Sequence, residues 1–176
     1  VLREGADDKA VALQNLFNEI YLRDVTKRNR VKNIGELEDL LNILSSAIGS
    51  LTNPEKLKNT FKTVKKSRIT SPTIKKYLDY FEDSFLIESA ERYDIKGKVY
   101  IETPKKYYFS DLGLCNARIN FRQLEQTHSM ENVIYNELRM RGYSVDVGVI
   151  PIAERDQYGK VIRKQLEVDF VCNLGS

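Results

Sequence analysis

The chain has 176 residues, 41% of them hydrophobic, with 4 Pro, 9 Gly and a net charge of +3. That composition supports one large or two small cored domains and excludes disorder, collagen and disulfide scaffolds. No apolar run approaches the roughly 18 residues of a membrane span, and no leader-like segment opens the sequence, so a cytoplasmic location is expected. Cys115 and Cys172 form no CxxC and read as two reduced thiols. The start at Val1 and the stop at Ser176, just after a strand-like run, read as a fragment of something longer.

Leu13, Leu16, Phe17, Ile20 and Tyr21 recur at helical spacing, so residues 9–29 are expected to form an amphipathic helix. A second helix carries Ile34, Leu37, Leu40, Leu41, Leu44 and Ile48, with Asn33 and Glu36 as a capping box and Gly49 as its stop. Asn53-Pro54 opens a third, burying Leu57 and Phe61. Ser71-Pro72 caps a fourth, burying Ile74, Leu78 and Phe81.

The period then changes to two. Residues 86–92 and 98–103 pair about a turn at 94–97, Pro104 interrupts, and 106–110 form a separate strand. Helices followed by a β-hairpin give the order of a winged helix-turn-helix, with the fourth helix in the recognition position and 93–98 as the wing tip. A further helix over 125–141 points Leu124, Val133, Ile134 and Leu138 inward and stops at Gly142. Tyr143, Val145, Val147 and Val149 alternate in a strand, and a turn over 154–160 leads into 161–171. There Leu166, Val168 and Phe170 face one way and Gln165, Glu167 and Asp169 the other. The fold class expected is α+β, with a helical winged-helix domain over 1–112 and an incomplete α/β domain over 113–176.

Charge is concentrated in one place. Residues 56–76 hold eight Lys and Arg and no Asp or Glu, leaving the rest of the chain at −5. A cationic segment on an acidic body is the footprint of a phosphate-backbone binder, or of a solvated surface or localisation-type patch. On a helix-turn-helix, the binding candidates are Lys62, Lys65, Lys66, Arg68, Ser71, Thr73, Lys75 and Lys76, with Thr70 beside them at the helix N-terminus. No Arg lies on the recognition helix, so backbone contact without strong base reading is expected. The rival reading is a protein-interaction or oligomerisation module, for which Tyr77, Tyr80, Tyr93 and Tyr100 would be exposed contacts.

The sequence lacks a P-loop and a dinucleotide fingerprint, and its one histidine, His128, reads as a surface or cap residue. Two carboxylates stand out: Glu131 at the start of a helix and Asp169 within an apolar strand expected to be buried. A helix carboxylate and a strand carboxylate can share Mg²⁺, a hard cation that takes oxygen ligands.

Three segments carry a family resemblance: KKYYFSDLGLCNA (105–117), HSMENVIYNELRMRGYSVDV (128–147) and KQLEVDFV (164–171). Together they resemble the C-terminal region of uncharacterised prokaryotic AAA+ superfamily ATPases. In that family an ATPase domain precedes a winged helix and a PD-(D/E)xK nuclease-like domain of the restriction-endonuclease type. The resemblance implies that Glu131 matches the nuclease-like helix glutamate and Asp169 the metal-binding aspartate. The (E/Q)xK strand that should follow has no counterpart in Cys172–Ser176, so no complete catalytic set is expected in this chain. The implied partners are DNA, the parent's own ATPase domain, which would hold any ATP, and a second copy paired along the open sheet edge.

Overall fold

The computed structural model of the chain describes residues 4–118, 126–155 and 157–174 and is a mixed α+β fold. The helices are α1 (Glu4–Leu16), α2 (Arg23–Arg28), α3 (Ile34–Ser46), α4 (Pro54–Thr60), α5 (Ser71–Asp83), α6 (Leu112–Arg118) and α7 (Gln126–Met140). The strands are β1 (Ile87–Asp94), β2 (Val99–Phe109), β3 (Tyr143–Arg155) and β4 (Val161–Leu174). Among the described residues no helix is long and apolar enough to cross a membrane.

The expected first helix is α1 and α2 joined through a wider turn over Phe17–Leu22. Phe17 and Val25 reach the core while Leu16 is exposed; the side chains of Ile20 and Tyr21 lie outside those described. Asn33 caps α3 by accepting the Glu36 N–H at 3.2 Å, but the expected capping box is only half formed. The Glu36 carboxylate accepts instead from the Ser67 hydroxyl at 2.6 Å, tying α3 to the turn before α5. Asn53 caps α4 through the Lys56 N–H at 2.7 Å. The cap of α5 is Thr70 rather than Ser71, whose hydroxyl donates to Glu55 at 2.6 Å.

Pro104 does not end the strand that contains it. β2 runs for 11 residues, and residues 102–105 bulge out of its ladder with β1 where Ala90 pairs Lys106 and Arg92 pairs Ile101. A bulge leaves backbone groups outside the ladder, which accommodates a residue with no N–H. Lys105 pairs across the outer side of β2 with Thr52, between α3 and α4.

The four strands form one sheet in the order β2-β1-β3-β4. β1 pairs antiparallel with β2 and parallel with β3, and β3 pairs antiparallel with β4. A division at residue 112 therefore runs through a shared sheet. The hairpin tip is docked rather than free: the Ile95 N–H donates to the Val149 carbonyl at 3.0 Å. Gly148 sits at this junction, where an added Cβ would lie 2.8 Å from Val171 Cγ2 and 2.9 Å from Val168 Cβ. Gly148→Ala is expected to destabilise by about 1–3 kcal/mol through overpacking, read as a lower urea midpoint.

Two cores flank the sheet. Ile87, Tyr107 and Phe109 join α3, α4 and α5 in the larger one. Ala90 and Tyr108, from the same two strands, join Tyr135, Val145 and Val147 in the smaller one under α7. The α7 face differs from the amphipathic reading: Val133 and Ile134 are exposed, while Asn132 and Tyr135 are buried. The helix is turned by the polar work of Asn132, which grips the Phe109 backbone, and by Tyr135 stacking on Tyr108 at 4.1 Å. Leu138 is only partly buried, and Leu124 lies outside the described residues.

β4 was expected to be largely buried, but it is an edge strand exposed over most of its length. Only Phe170 and Val171 are half-buried, and the Asp169 side chain is 71% exposed. Between the Val168–Gly148 and Val171–Asp146 pairs, two β4 residues oppose one of β3. That bulge breaks the alternation and brings Phe170 onto the Tyr108 and Tyr135 side, with Glu167, rather than with Leu166.

Candidate functional site

The cationic stretch occupies α4, the wider helical turn over Phe61–Lys65 that continues it, the loop over 66–70 and the first half of α5, and its six candidate Lys and Arg side chains are all solvent-exposed. They do not form one uniform surface. The Lys65 ammonium pairs with Asp39 at 2.7 Å, and Lys58 pairs with Glu55. Lys76 lies over the Tyr80 ring, 5.6 Å from its centroid. Among the described residues, Lys62, Lys66 and Arg68 have no acidic partner, and neither do Lys75 and Lys76.

Hydroxyls expected to meet phosphate are also engaged. Ser71 donates to Glu55, which places a carboxylate beside the start of α5, and the Thr70 and Thr73 hydroxyls lie 2.9 Å apart. Lys75 opens onto a different feature, a groove between α5 and the hairpin lined by Asp79, Glu82, Glu91, Glu102, Tyr100 and Lys105. Carboxylates outnumber cations there. Tyr77, expected to be exposed, is buried on the core-facing side of α5; Tyr80 and Tyr93 are half-buried and Tyr100 is exposed.

The second site lies on the α7 side of the sheet, and sequence reading found only part of it. β2 points Lys106 and Tyr108 to this face because its alternation sends Tyr107 and Phe109 to the helical core. α7 brings Glu131 from its first half, and β4 brings Glu167 and Asp169 across. The Lys106 ammonium lies 2.8 Å from Glu131 Oε1, 2.7 Å from Glu167 Oε1 and 4.0 Å from Asp169 Oδ1. Its side chain is 4% exposed. The Tyr108 hydroxyl donates to the same Glu131 Oε1 at 2.7 Å. Burial, then that carboxylate, pushes the phenol far above its usual range, so it remains a proton donor. Arg92, also buried, donates to Gln165 at 2.6 Å on the neighbouring stretch of β4.

Glu131 and Asp169 lie 2.8 Å and 4.0 Å from the same Lys106 ammonium, so what stands between them is a lysine rather than an open space. Lys106 was missed because in KKYYF nothing local distinguishes it from Lys105, which is half-exposed and pairs with Glu91. Strand alternation between two apolar faces is the signal that separates them. The Mg²⁺ implied by the resemblance does not fit these residues. A divalent ion needs oxygen ligands at roughly 2.0–2.6 Å, and the ammonium already fills the centre of the carboxylates. Among the described residues no group of three or more Asp, Glu, His and Cys side chains could hold a metal. Cys115 is buried, which pushes its thiol up to about 12, and Cys172 is exposed; both are free. His128 lies in the first turn of α7, half-buried.

Fold and sites together define a mixed α+β module with a cationic helical corner and a lysine-centred carboxylate cluster. The chain belongs to the family described as domain of unknown function DUF8612, whose model matches residues 1–125. It is 37% identical over 163 residues to an uncharacterized protein of Haemophilus influenzae, covering 93% of this chain and 40% of that one. It is 30% identical over 163 residues to an uncharacterized protein of Methanocaldococcus jannaschii, covering 93% and 34%. The chain therefore spans two fifths or less of the length of these curated relatives. No solved structure matches it.

Proposed function

We propose that the chain is a nucleic-acid-binding module that grips the DNA backbone through the turn between α4 and α5, as part of a larger AAA+ ATPase. One observation carries this: Lys62 on the helical turn that extends α4, and Lys66 and Arg68 on the loop after it, are exposed with no acidic partner among the described residues. Nearby carboxylates are already engaged, Asp39 by Lys65 and Glu36 by Ser67. A winged-helix reading is supported by α3, α4 and α5 followed by the hairpin, and by the Thr52–Lys105 bridge that adds a third, minimal strand. The acidic groove beside α5 and the docked hairpin tip restrict the contact to the turn and Lys76, leaving out the wing.

Binding measured by fluorescence anisotropy is expected to weaken steeply with salt, with a log-log slope of about −3 to −4 for three or four phosphate contacts. Reversing Lys62, Lys66 and Arg68 to Glu should abolish it, whereas Lys75→Glu, on the acidic groove, should change it much less. A flat salt response would rule the reading out.

The acidic groove favours a second reading, a module that docks onto a basic surface of its parent ATPase domain or of a partner. Partner binding that survives reversal of the three turn cations would support it. For the carboxylate cluster, the reading is structural: no catalytic step is assigned to it.

A further inference from the structure

We propose that the cleft between the first residues of β1 and β3 receives an arginine side chain of a basic protein segment laid along the acidic groove, with Asp146 as its anchor. This rests on the reading in which that groove docks a basic surface, and it names where the docking is decided. β1 and β3 pair only through Arg92–Val147, Tyr93–Gly148 and Asp94–Val149, so residues 87–91 and 143–146 are not laddered to each other. The gap is a cavity of about 390 Å³ bordered by Phe85, Glu88, Ser89, Arg139, Ser144 and Asp146. That volume lies within the usual range for ligand sites. Alternation sends Val145 and Val147 into the core under α7 and turns Asp146 to the opposite face, the side of α5. The cleft and the groove meet there. Glu82 of α5 borders both, and the Tyr100 hydroxyl, on the groove, donates at 3.0 Å to Asp146 Oδ2 in the cleft.

Charge indicates the occupant. The carboxylates of Asp79, Glu82, Glu102 and Asp146 have no cationic partner among the described residues, whereas Lys105 and Arg139 are already paired with Glu91 and Glu88. Among the described residues these carboxylates form no group that could hold a metal, which leaves an organic cation. Asp146 is the most demanding of them: it is 9% exposed, and its Oδ1 has no donor among the described residues. Burial raises its carboxyl above the ordinary aspartate range, against the pull of the Tyr100 hydrogen bond. A buried carboxylate of this kind is stabilised by a donor that brings its own positive charge. Guanidinium suits it better than ammonium. It is more weakly hydrated, and its flat fork can bond Oδ1 while stacking on an aromatic ring. Phe85 supplies that ring, 77% exposed at the edge of the cleft. The resident Arg139 is committed elsewhere, its Nε to Glu88 and its Nη1 to the Tyr143 carbonyl.

Fluorescence anisotropy on the whole 176-residue chain tests this with a labelled peptide of alternating arginine and glycine and with its lysine counterpart. The arginine peptide is expected to bind about tenfold more tightly than the lysine peptide. Asp146→Asn keeps an oxygen for Tyr100 and should weaken the arginine peptide about tenfold, as expected for one charge-assisted hydrogen bond, and the lysine peptide much less. Phe85→Ala should weaken the arginine peptide about threefold. Unchanged arginine-peptide binding in Asp146→Asn would overturn the proposal; if that binding still fell in Glu102→Gln, the docking reading would survive without it. Failure of both peptides to bind the unsubstituted protein would overturn both. N-acetylarginine amide binding as tightly as the peptide would overturn the protein segment as occupant. If Asp146→Asn does not fold, the carboxyl carbon resonance of Asp146 in the unsubstituted protein decides. It should shift when the arginine peptide is added, and a resonance that stays in place would overturn the proposal.

Discussion

Glu131→Ala is expected to lower the free energy of unfolding by about 3 kcal/mol, the lower end of the range for removing one partner of a buried ion pair. The loss is large because the Lys106 ammonium, 4% exposed, is left with Glu167 and a distant Asp169, and because the Tyr108 hydroxyl loses its acceptor. Glu131→Gln keeps an oxygen for both donors and should cost roughly 1 kcal/mol, nearer the ordinary worth of a hydrogen bond. Urea denaturation at neutral pH separates the two, and equal losses would show that the charge at Glu131 is not what matters.

The same cluster sets a pH dependence. Burial pushes the Lys106 titration down, but hydrogen bonds and charge from Glu131 and Glu167 outweigh it, and the net shift is upward. The folded state therefore holds this proton more tightly than the unfolded chain. The resulting stabilisation is complete below the ordinary lysine range near pH 10.4 and fades as pH rises through the higher folded value. Stability curves of the parent and of Glu131→Gln should converge in strong alkali.

Asn132→Leu is expected to cost about 3 kcal/mol although the replacement is apolar and similar in size. The Asn132 amide is buried and closes a ring with the peptide of Phe109, accepting its N–H at 2.8 Å and donating to its carbonyl at 2.8 Å. In this way a side chain of α7 acts as one more rung on the outer end of β2. Leucine would leave the Phe109 N–H buried without an acceptor, while the carbonyl would keep Asn136 at 3.0 Å. Denaturant unfolding should report the loss, and amide hydrogen exchange at Phe109 should accelerate before the rest of the sheet. An unchanged midpoint would mean that a backbone shift supplies another acceptor.

The helical part of the fold was legible because its signals are local. Asn53-Pro54 and Asn33 mark real starts, and the stripes on α3, α4 and α5 face the core that their spacing describes. Those signals misled where tertiary contacts override spacing. On α7, the apolar Val133 and Ile134 are exposed because Asn132 and Tyr135 have specific partners on β2, and hydrophobicity alone gives no weight to such partners. On β4, alternation indicated two faces but not that α7 covers only its far end, so Asp169 read as a buried charge. Glu131 and Asp169 stand out in the sequence as carboxylates, and both lie within 4.0 Å of the Lys106 ammonium. Lys106, which completes their setting, depends on which face of β2 meets which core.

That division of labour within β2 has a mechanical consequence. Tyr107 and Phe109 are rooted among the helices, while Lys106 and Tyr108, interleaved with them, are rooted under α7. The strand is a party wall: neither room can be emptied without opening the other. Severing the polypeptide after residue 112 would leave Ala90, Lys106 and Tyr108 facing water on a half-dressed hairpin, so the two portions should melt together as one cooperative unit.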